Sequence, residues 1–422
     1  MSETDIAPAE KRSLWRHRDF RLLWAGQTIS ELGASVSSLA LPLVAVIQLG
    51  ANAFEAATLT AATWSGYLLA MLPFGSLVDR VASRRRLLAW CDIGRMIVIA
   101  LVPVAALTGV LNLPLLYAVT VLSSVLSALF DVAYPSYVPS LVDTDRLMDA
   151  NGKLSTAGSV AKLAGPSLAG LLISAIGATF AIIADAVSFA ASALSLLAIR
   201  APDAEPQAPE VAPPQNLRNE LLDGLRFLLT HTILRKIVVS TAISNLFVAM
   251  GLALEMIFLV RDLHAQAWQI GLVVLGGALG GLLGGLTTGW LTERIGTARM
   301  IWLPFLVLGW SGLLAPAAHG WWGVYLVAIG SLVFAVSSAP FNSAAIGYRQ
   351  MICPPALLGR VTAASRWMSW GTAPIGAILG GVLGDSIGIR TTLVVAGLGA
   401  WACCLFVVFS PLRRMRDIDE SP

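Results

Sequence analysis

Apolar residues arrive along this chain in blocks of about 20, long enough as helix to cross a hydrocarbon core about 30 Å thick. Leu87 to Leu107, Ile182 to Ile199 and Leu393 to Phe409 are examples. A bilayer core offers no water to an unpaired backbone amide or carbonyl, so only helices and closed barrels span it. The blocks lack the two-residue alternation of a barrel strand. The chain therefore reads as an all-α membrane protein. Composition agrees, with 56% hydrophobic and 13% charged residues, where a soluble chain carries about a quarter charged.

Twelve helices are expected, over 21–48, 57–77, 87–108, 113–134, 155–177, 179–199, 236–260, 268–290, 298–316, 321–346, 360–383 and 391–410. Between the sixth and seventh, "APDAEPQAPEVAPPQN" has nothing to bury and reads as a flexible linker. In the next segment Leu217, Leu221, Leu225, Leu228 and Leu229 share one helical face, with Arg218, Glu220 and Asp223 off it. That pattern predicts an amphipathic helix lying on the membrane surface. The organisation is thus a cytoplasmic segment over 1–20, a six-helix half over 21–200, a cytoplasmic linker with the amphipathic helix over 201–235, a second half over 236–410 and a cytoplasmic tail over 411–422. The polar start lacks a cleavage site, so no signal peptide is expected to be removed.

Lys and Arg set the orientation, because cytoplasmic loops retain them. They crowd before the first helix (Lys11 to Arg21), after the second (Arg80, Arg84 to Arg86), after the fourth (Arg146, Lys153), through the centre and in the tail (Arg413, Arg414, Arg416). The opposite loops hold Arg261 and Arg390. Both termini are expected in the cytoplasm, which requires an even number of spans.

The two halves echo each other. "GSLVDRVASRRR" from Gly75 is matched by "GWLTERIGTAR" from Gly289, aligning Asp79 and Arg80 with Glu293 and Arg294. More weakly, Pro166 pairs with Pro374. The first string resembles the signature loop of the major facilitator superfamily, G-x-L-x-D-R-x-G-R-[RK], through Gly75, Leu77, Asp79 and Arg80; Ala82 and Ser83 depart from it, and Arg84 to Arg86 restore the charge. The resemblance implies two pseudo-symmetric six-helix halves and a cytoplasmic conformational latch built from Gly75, Asp79, Arg80, Arg84, Arg85, Glu293 and Arg294, holding the outward-open state. "GSVAKLAGPSLAG" is similar to the family's antiporter motif through Gly158, Gly165, Pro166 and Gly170, small residues and a proline that permit close approach and bending. The strings "FRLLWAGQTIS", "PSYVPSLVDTDRLMDANGKLSTAG", "ADAVSFAASAL" and "GRVTAASRWMSWGTAPIGAILGG" resemble a bacterial branch that includes macrolide efflux pumps and the enterobactin exporter. The resemblance to that branch implies a multi-pass transporter of the bacterial cytoplasmic (inner) membrane. It would export a hydrophobic or amphipathic small molecule, such as a drug, an antibiotic or a siderophore-like metabolite, by alternating access in exchange for protons. Proton-coupled uptake, or a membrane sensor on the same architecture, is the alternative.

Charges at membrane depth are costly, so each marks a candidate site. Glu31 and Lys162 lie on helices that neighbour each other in the superfamily, and an ion pair between them is the expected proton-coupling element. Asp92, Arg95 and Asp131 are expected to form a charge relay, with Arg95 meeting Asp131 near the latch. Asp185 reads as a structural acid, and Glu255 as a surface acid snorkelling toward Arg261 and water. If the family plan holds, Gln27, Asn245 and Asn342 are candidate substrate-lining residues. Cys91, Cys353, Cys403 and Cys404 show no metal or disulfide spacing and read as buried thiols. No GxxxxGK[ST], HExxH or CxxC string occurs, so no catalytic residue, metal or cofactor is expected. The expected partners are the substrate, protons and the lipid bilayer, with no nucleic acid, and the chain is expected to be monomeric.

Overall fold

The structure, a computed structural model, describes residues 14–81, 83–142, 146–200, 217–409, 413 and 415–417. The elements are α1 (Arg18–Leu43, continued by a π-helical turn over Val44–Gln48), α2 (Ala53–Arg80), α3 (Arg84–Leu107), α4 (Leu113–Leu141), α5 (Leu147–Ile176), α6 (Ala178–Ala198), α7 (Leu217–Thr230), α8 (Thr232–Arg261), α9 (Ala267–Ile295), α10 (Thr297–Met300), α11 (Leu303–Leu308), α12 (Leu314–Ala317), α13 (Gly323–Ile352), α14 (Pro355–Ile387), α15 (Ile389–Ala402) and α16 (Cys404–Val408). Ten helical segments among the described residues are long and apolar enough to cross a membrane. With α2 and α14 beside them, the arrangement is consistent with twelve spans.

Polar residues at the loop ends start these helices. Asn52 accepts from the Glu55 amide at 2.8 Å while Glu55 Oε2 accepts from the Asn52 amide at 2.8 Å, a reciprocal cap that starts α2 four residues earlier than expected. Ser83 caps α3 in one direction, its Oγ accepting from the Arg86 amide at 3.2 Å. The α5 helix begins at Leu147 rather than 155, so the linking string "LMDANGKLS" is helical. The expected helix over 298–316 is broken into α10, α11, a 3-10 turn over Gly309–Leu313 and α12. Pro304 can only join a helix in its first turn, and Gly309 and Gly312 weaken the turns after it. The expected last helix is likewise divided at Cys403.

The first six helices pack on one another, α1 with α5 and α6, α3 with α4 and α6, α2 with α4. The second group is built around α8 with α14 and α15, and α9 with α13. The repeat also shows in the backbone. Gly177 joins α5 to α6 at φ 81°, ψ 156°, and Gly388 joins α14 to α15 at φ 88°, ψ 151°, a left-handed corner that suits glycine in both groups. The segment over 201–216 falls outside the described residues. Within α7, Leu228 is buried and Leu229 exposed; a Cβ on Gly224 would lie 2.4 Å from the Arg360 carbonyl oxygen, so α7 rests on the start of α14.

Core placement gives the molecule its asymmetry. At the end of the bundle remote from the chain termini, one apolar cluster runs through both groups and includes Val44, Ile182, Phe258 and Val324. At the terminal end there are two clusters, one in each group: Phe20, Leu88 and Tyr137 belong to the first, Leu234, Ile301 and Val361 to the second.

Candidate functional site

Two seams close the remote end. In the first, α5 and α9 approach through glycine: a Cβ on Gly170 would lie 2.7 Å from the Ala267 carbonyl oxygen, and one on Gly271 would lie 2.6 Å from that of Pro166. No larger residue permits that spacing unshifted, which is the packing role of small residues between membrane helices. In the second, α14 lies on α2, with Gly381 against Phe54 and Ala57 and Gly384 against Ala53. The Trp64 and Trp370 rings meet edge to face, centroids 5.2 Å apart. Polar contacts cross the same end. Arg261 Nη2 donates to the carbonyls of Gly50 at 3.1 Å and Ala51 at 2.6 Å, and Asp385 Oδ2 accepts from the Phe54 amide at 3.3 Å. Arg390, the other cation of this end, donates to the Pro316 and Ala318 carbonyls and lies 4.0 Å from Asp262.

Beneath the closed end is a cavity of about 670 Å³ lined from both groups, within the range that encloses a drug-sized ligand. Its walls are aliphatic and hydroxylic, with Ser37, Thr63, Ser123 and Ser124 from the first group and Leu252, Met256 and Val273 from the second. Trp64 and Phe189 add aromatic faces. Two acids line it: Asp185 of α6, 1% exposed, and Glu255 of α8. This corrects the reading of Glu255 as a snorkelling surface acid. The side chain lines the cavity beside Leu252, Met256 and Leu259 of the same helix.

A buried charge network stands behind the first-group wall. Asp92, fully buried, pairs with Arg95, and the Arg95 guanidinium lies 4.4 Å from the ring centroids of both Phe130 and Phe189. Of the expected relay, Arg95 reaches Asp92, one helical turn away on α3, and no Arg95–Asp131 contact is found among the described residues. Asp185 accepts from Ser188 Oγ at 3.3 Å, and a Cβ on Gly33 of α1 would come within 2.9 Å of its Oδ1.

The other sequence-derived candidates fall in several places. Glu31 accepts from Gln27 Nε2 at 3.0 Å, its second oxygen is buried without a hydrogen-bond partner among the described residues, and it packs on Gly158. Lys162 is exposed, and no Glu31–Lys162 ion pair is made among the described residues. By helical register Lys162 lies between the α1 side of α5, given by Gly158 and Gly165, and the α9 side, given by Pro166 and Gly170. Asn245 donates to the Ser369 carbonyl at 2.7 Å, and Asn245 and Asn342 line a separate pocket of about 60 Å³ inside the second group. Neither they nor Gln27 line the large cavity. Gly75, Asp79 and Arg80 fall within α2, with side chains outside the described residues. Arg84 donates to the Ser136 carbonyl at 3.0 Å and Arg85 to that of Ile199, tying the start of α3 to α4 and α6. Glu293 and Arg294 are exposed at the end of α9, Arg294 lying over the Trp290 ring at 4.2 Å. The four cysteines are free and buried.

A family model described as transmembrane secretion effector matches residues 11–422. The multidrug efflux pump Tap of Mycolicibacterium fortuitum is 25% identical over 404 residues, covering 92% of this chain and 95% of the relative. Tap of Mycobacterium tuberculosis (strain ATCC 25618 / H37Rv) is 25% identical over 421 residues, covering 96% and 95%. Among solved structures, a bacterial homologue of the iron transporter ferroportin in an inward-facing state superposes with TM-score 0.72 at 18% identity, covering 94% of this chain and 99% of that one. The nucleoside transporter NupG does so with TM-score 0.68 at 13% identity, covering 92% and 98%. These two likenesses establish the fold.

Proposed function

The chain belongs to the transmembrane secretion effector family within the major facilitator superfamily, and from that premise we propose that it exports a hydrophobic or amphipathic small molecule across a bacterial inner membrane in exchange for protons. The observation that carries the reading is the unequal core: one apolar cluster shared by both groups at the remote end, two separate clusters at the terminal end, and a cavity of about 670 Å³ between the groups. A cavity sealed on one side by contacts between two helix groups is what alternating access requires. The excess of Lys and Arg at the terminal end supports a cytoplasmic position for that end and for both termini. The arrangement is then the inward-facing state, in which substrate enters from inside.

The halves over 21–200 and 236–410 rock about the cavity, with the α5–α9 and α2–α14 seams as the outer gate. The latch residues Gly75, Asp79, Arg80, Arg84, Arg85, Glu293 and Arg294 close the inner side in the opposite state. The wall chemistry, aliphatic and aromatic with scattered hydroxyls, suits an amphipathic molecule better than a sugar or an amino acid, which need convergent polar groups. The two Tap relatives, named as multidrug efflux pumps, support export over uptake. Glu31 is the coupling acid in this reading, with Lys162 meeting it as α1 and α5 shift against each other, and the protein works as one chain without cofactor or catalytic step.

The test is purified protein in liposomes under an imposed pH gradient, with a trapped dye reporting proton movement for each of a panel of amphipathic compounds. Proton flux opposite to compound movement is expected. Flux in the same direction would establish uptake instead.

A further inference from the structure

The charge lining the cavity is one-sided. Among the described residues, Asp185 and Glu255 line it and no Lys, Arg or His does. The two acids differ in what surrounds them. Asp185 accepts from Ser188 and lies within electrostatic reach of Arg95, so its charge is answered from within the protein. Glu255 makes no hydrogen bond and no ion pair among the described residues, and its nearest cation along the helix, Arg261, is turned to the Gly50 and Ala51 carbonyls.

An unanswered carboxylate at membrane depth is held at a cost, and a carboxylate facing a drug-sized space regains that cost when a cation enters. The aromatic face of Trp64 on the same lining attracts cations through its ring quadrupole. The rest of the wall, with Leu252, Met256 and Val273, favours an apolar body. We propose that the cavity selects amphipathic organic cations, a compact apolar body bearing one positive charge, with Glu255 as the counter-charge that fixes their orientation. The proposal rests on the export reading and names the substrate class for the same cavity. The position explains the choice of acid: six residues from the last residue of α8, Glu255 sits under the closed gate, where the charge of a molecule entering from the other side comes to rest.

The full chain in detergent is titrated with tetraphenylphosphonium and with tetraphenylborate, ions of matched size and opposite charge. The phosphonium is expected to bind more tightly, and Glu255→Gln to weaken it about tenfold or more, as truncating one partner of a buried charge pair does. Glu255→Asp keeps the charge and is expected to keep the preference. Equal binding of the two ions by the unaltered chain overturns the proposal, as does phosphonium binding unmoved in Glu255→Gln. An equal loss in Glu255→Asp also overturns it, because shape rather than charge would then be read. Export of a neutral amphipathic compound from proteoliposomes is measured in parallel. If it is exported while no charge preference exists, the cation proposal falls and export stands; if no compound of any charge moves, both fall.

Discussion

Arg261, the last residue of α8, reaches into the other helix group and donates to the Ala51 carbonyl at 2.6 Å. One of the two cations that break the positive-inside pattern is therefore bound to backbone dipoles across the gate. Hydrogen bonds to a charged group contribute about 1.5–3 kcal/mol each. Arg261→Ala is expected to move the population about tenfold or more toward the outward-open state, which distances between paired spin labels at the remote ends of α2 and α8 would report. An unchanged distance distribution would remove Arg261 from the gate.

The α5–α9 seam permits a steric version of that test. Adding a methyl at Gly271 places a carbon 2.6 Å from the Pro166 carbonyl oxygen, whereas a Cβ on Gly281, ten residues along α9, meets nothing within 4 Å. Overpacking costs about 1–3 kcal/mol. Gly271→Ala is expected to lower export about tenfold, and Gly281→Ala to stay within about twofold of the unaltered rate. Equal rates for the two variants would mean that the seam opens without resistance.

Much of the architecture is legible in the sequence because lipid leaves few choices. A block of about 20 apolar residues has to be a helix, and the Gly75 and Gly289 strings expose the repeat that Gly177 and Gly388 display in the backbone. Depth is legible as well. Facing is not, since position along a helix says how far a residue lies from the interface but not what its neighbours cover. Glu255 is six residues from Arg261 on any face; only the packing of α8 in the bundle shows that it lines the cavity. Asn245 has the depth of a lining residue, yet the Ser369 carbonyl takes its donor inside the second group. The Asp92–Arg95 contact follows from spacing alone, since three residues on one helix bring the two side chains together.

The Asp92–Arg95 pair offers a stability prediction. Asp92 is 0% exposed and Arg95 6%, so removing one partner strands a charge in a low-dielectric core, a loss of about 3–5 kcal/mol. Arg95→Ala also removes the contacts with the Phe130 and Phe189 rings. It is expected to lower the midpoint of thermal unfolding in detergent, and Asp92→Ala combined with it should cost less than the sum of the two single changes. Strict additivity would show that the charges do not act as a pair.

Glu31 separates coupling from folding. One of its oxygens is held by Gln27 and the other is buried without a hydrogen-bond partner among the described residues, beside Gly158 on α5. An acid in that position gains or loses little packing on conversion to the amide, since Gln has nearly the same shape and carries no charge. Its ability to carry a proton is what the change removes. Lys162 is exposed on the same stretch of α5 and makes no ion pair with Glu31 among the described residues. Glu31→Gln is therefore expected to fold, to bind substrate and to exchange labelled for unlabelled substrate across proteoliposomes, while accumulation driven by a pH gradient is lost. Exchange tests opening and closing of the gates; accumulation tests whether a proton moves with them. If Glu31→Gln protein accumulates substrate at the unaltered rate, the coupling acid lies elsewhere, and Asp185 and Glu255, the acids on the cavity wall, become the ones to change next.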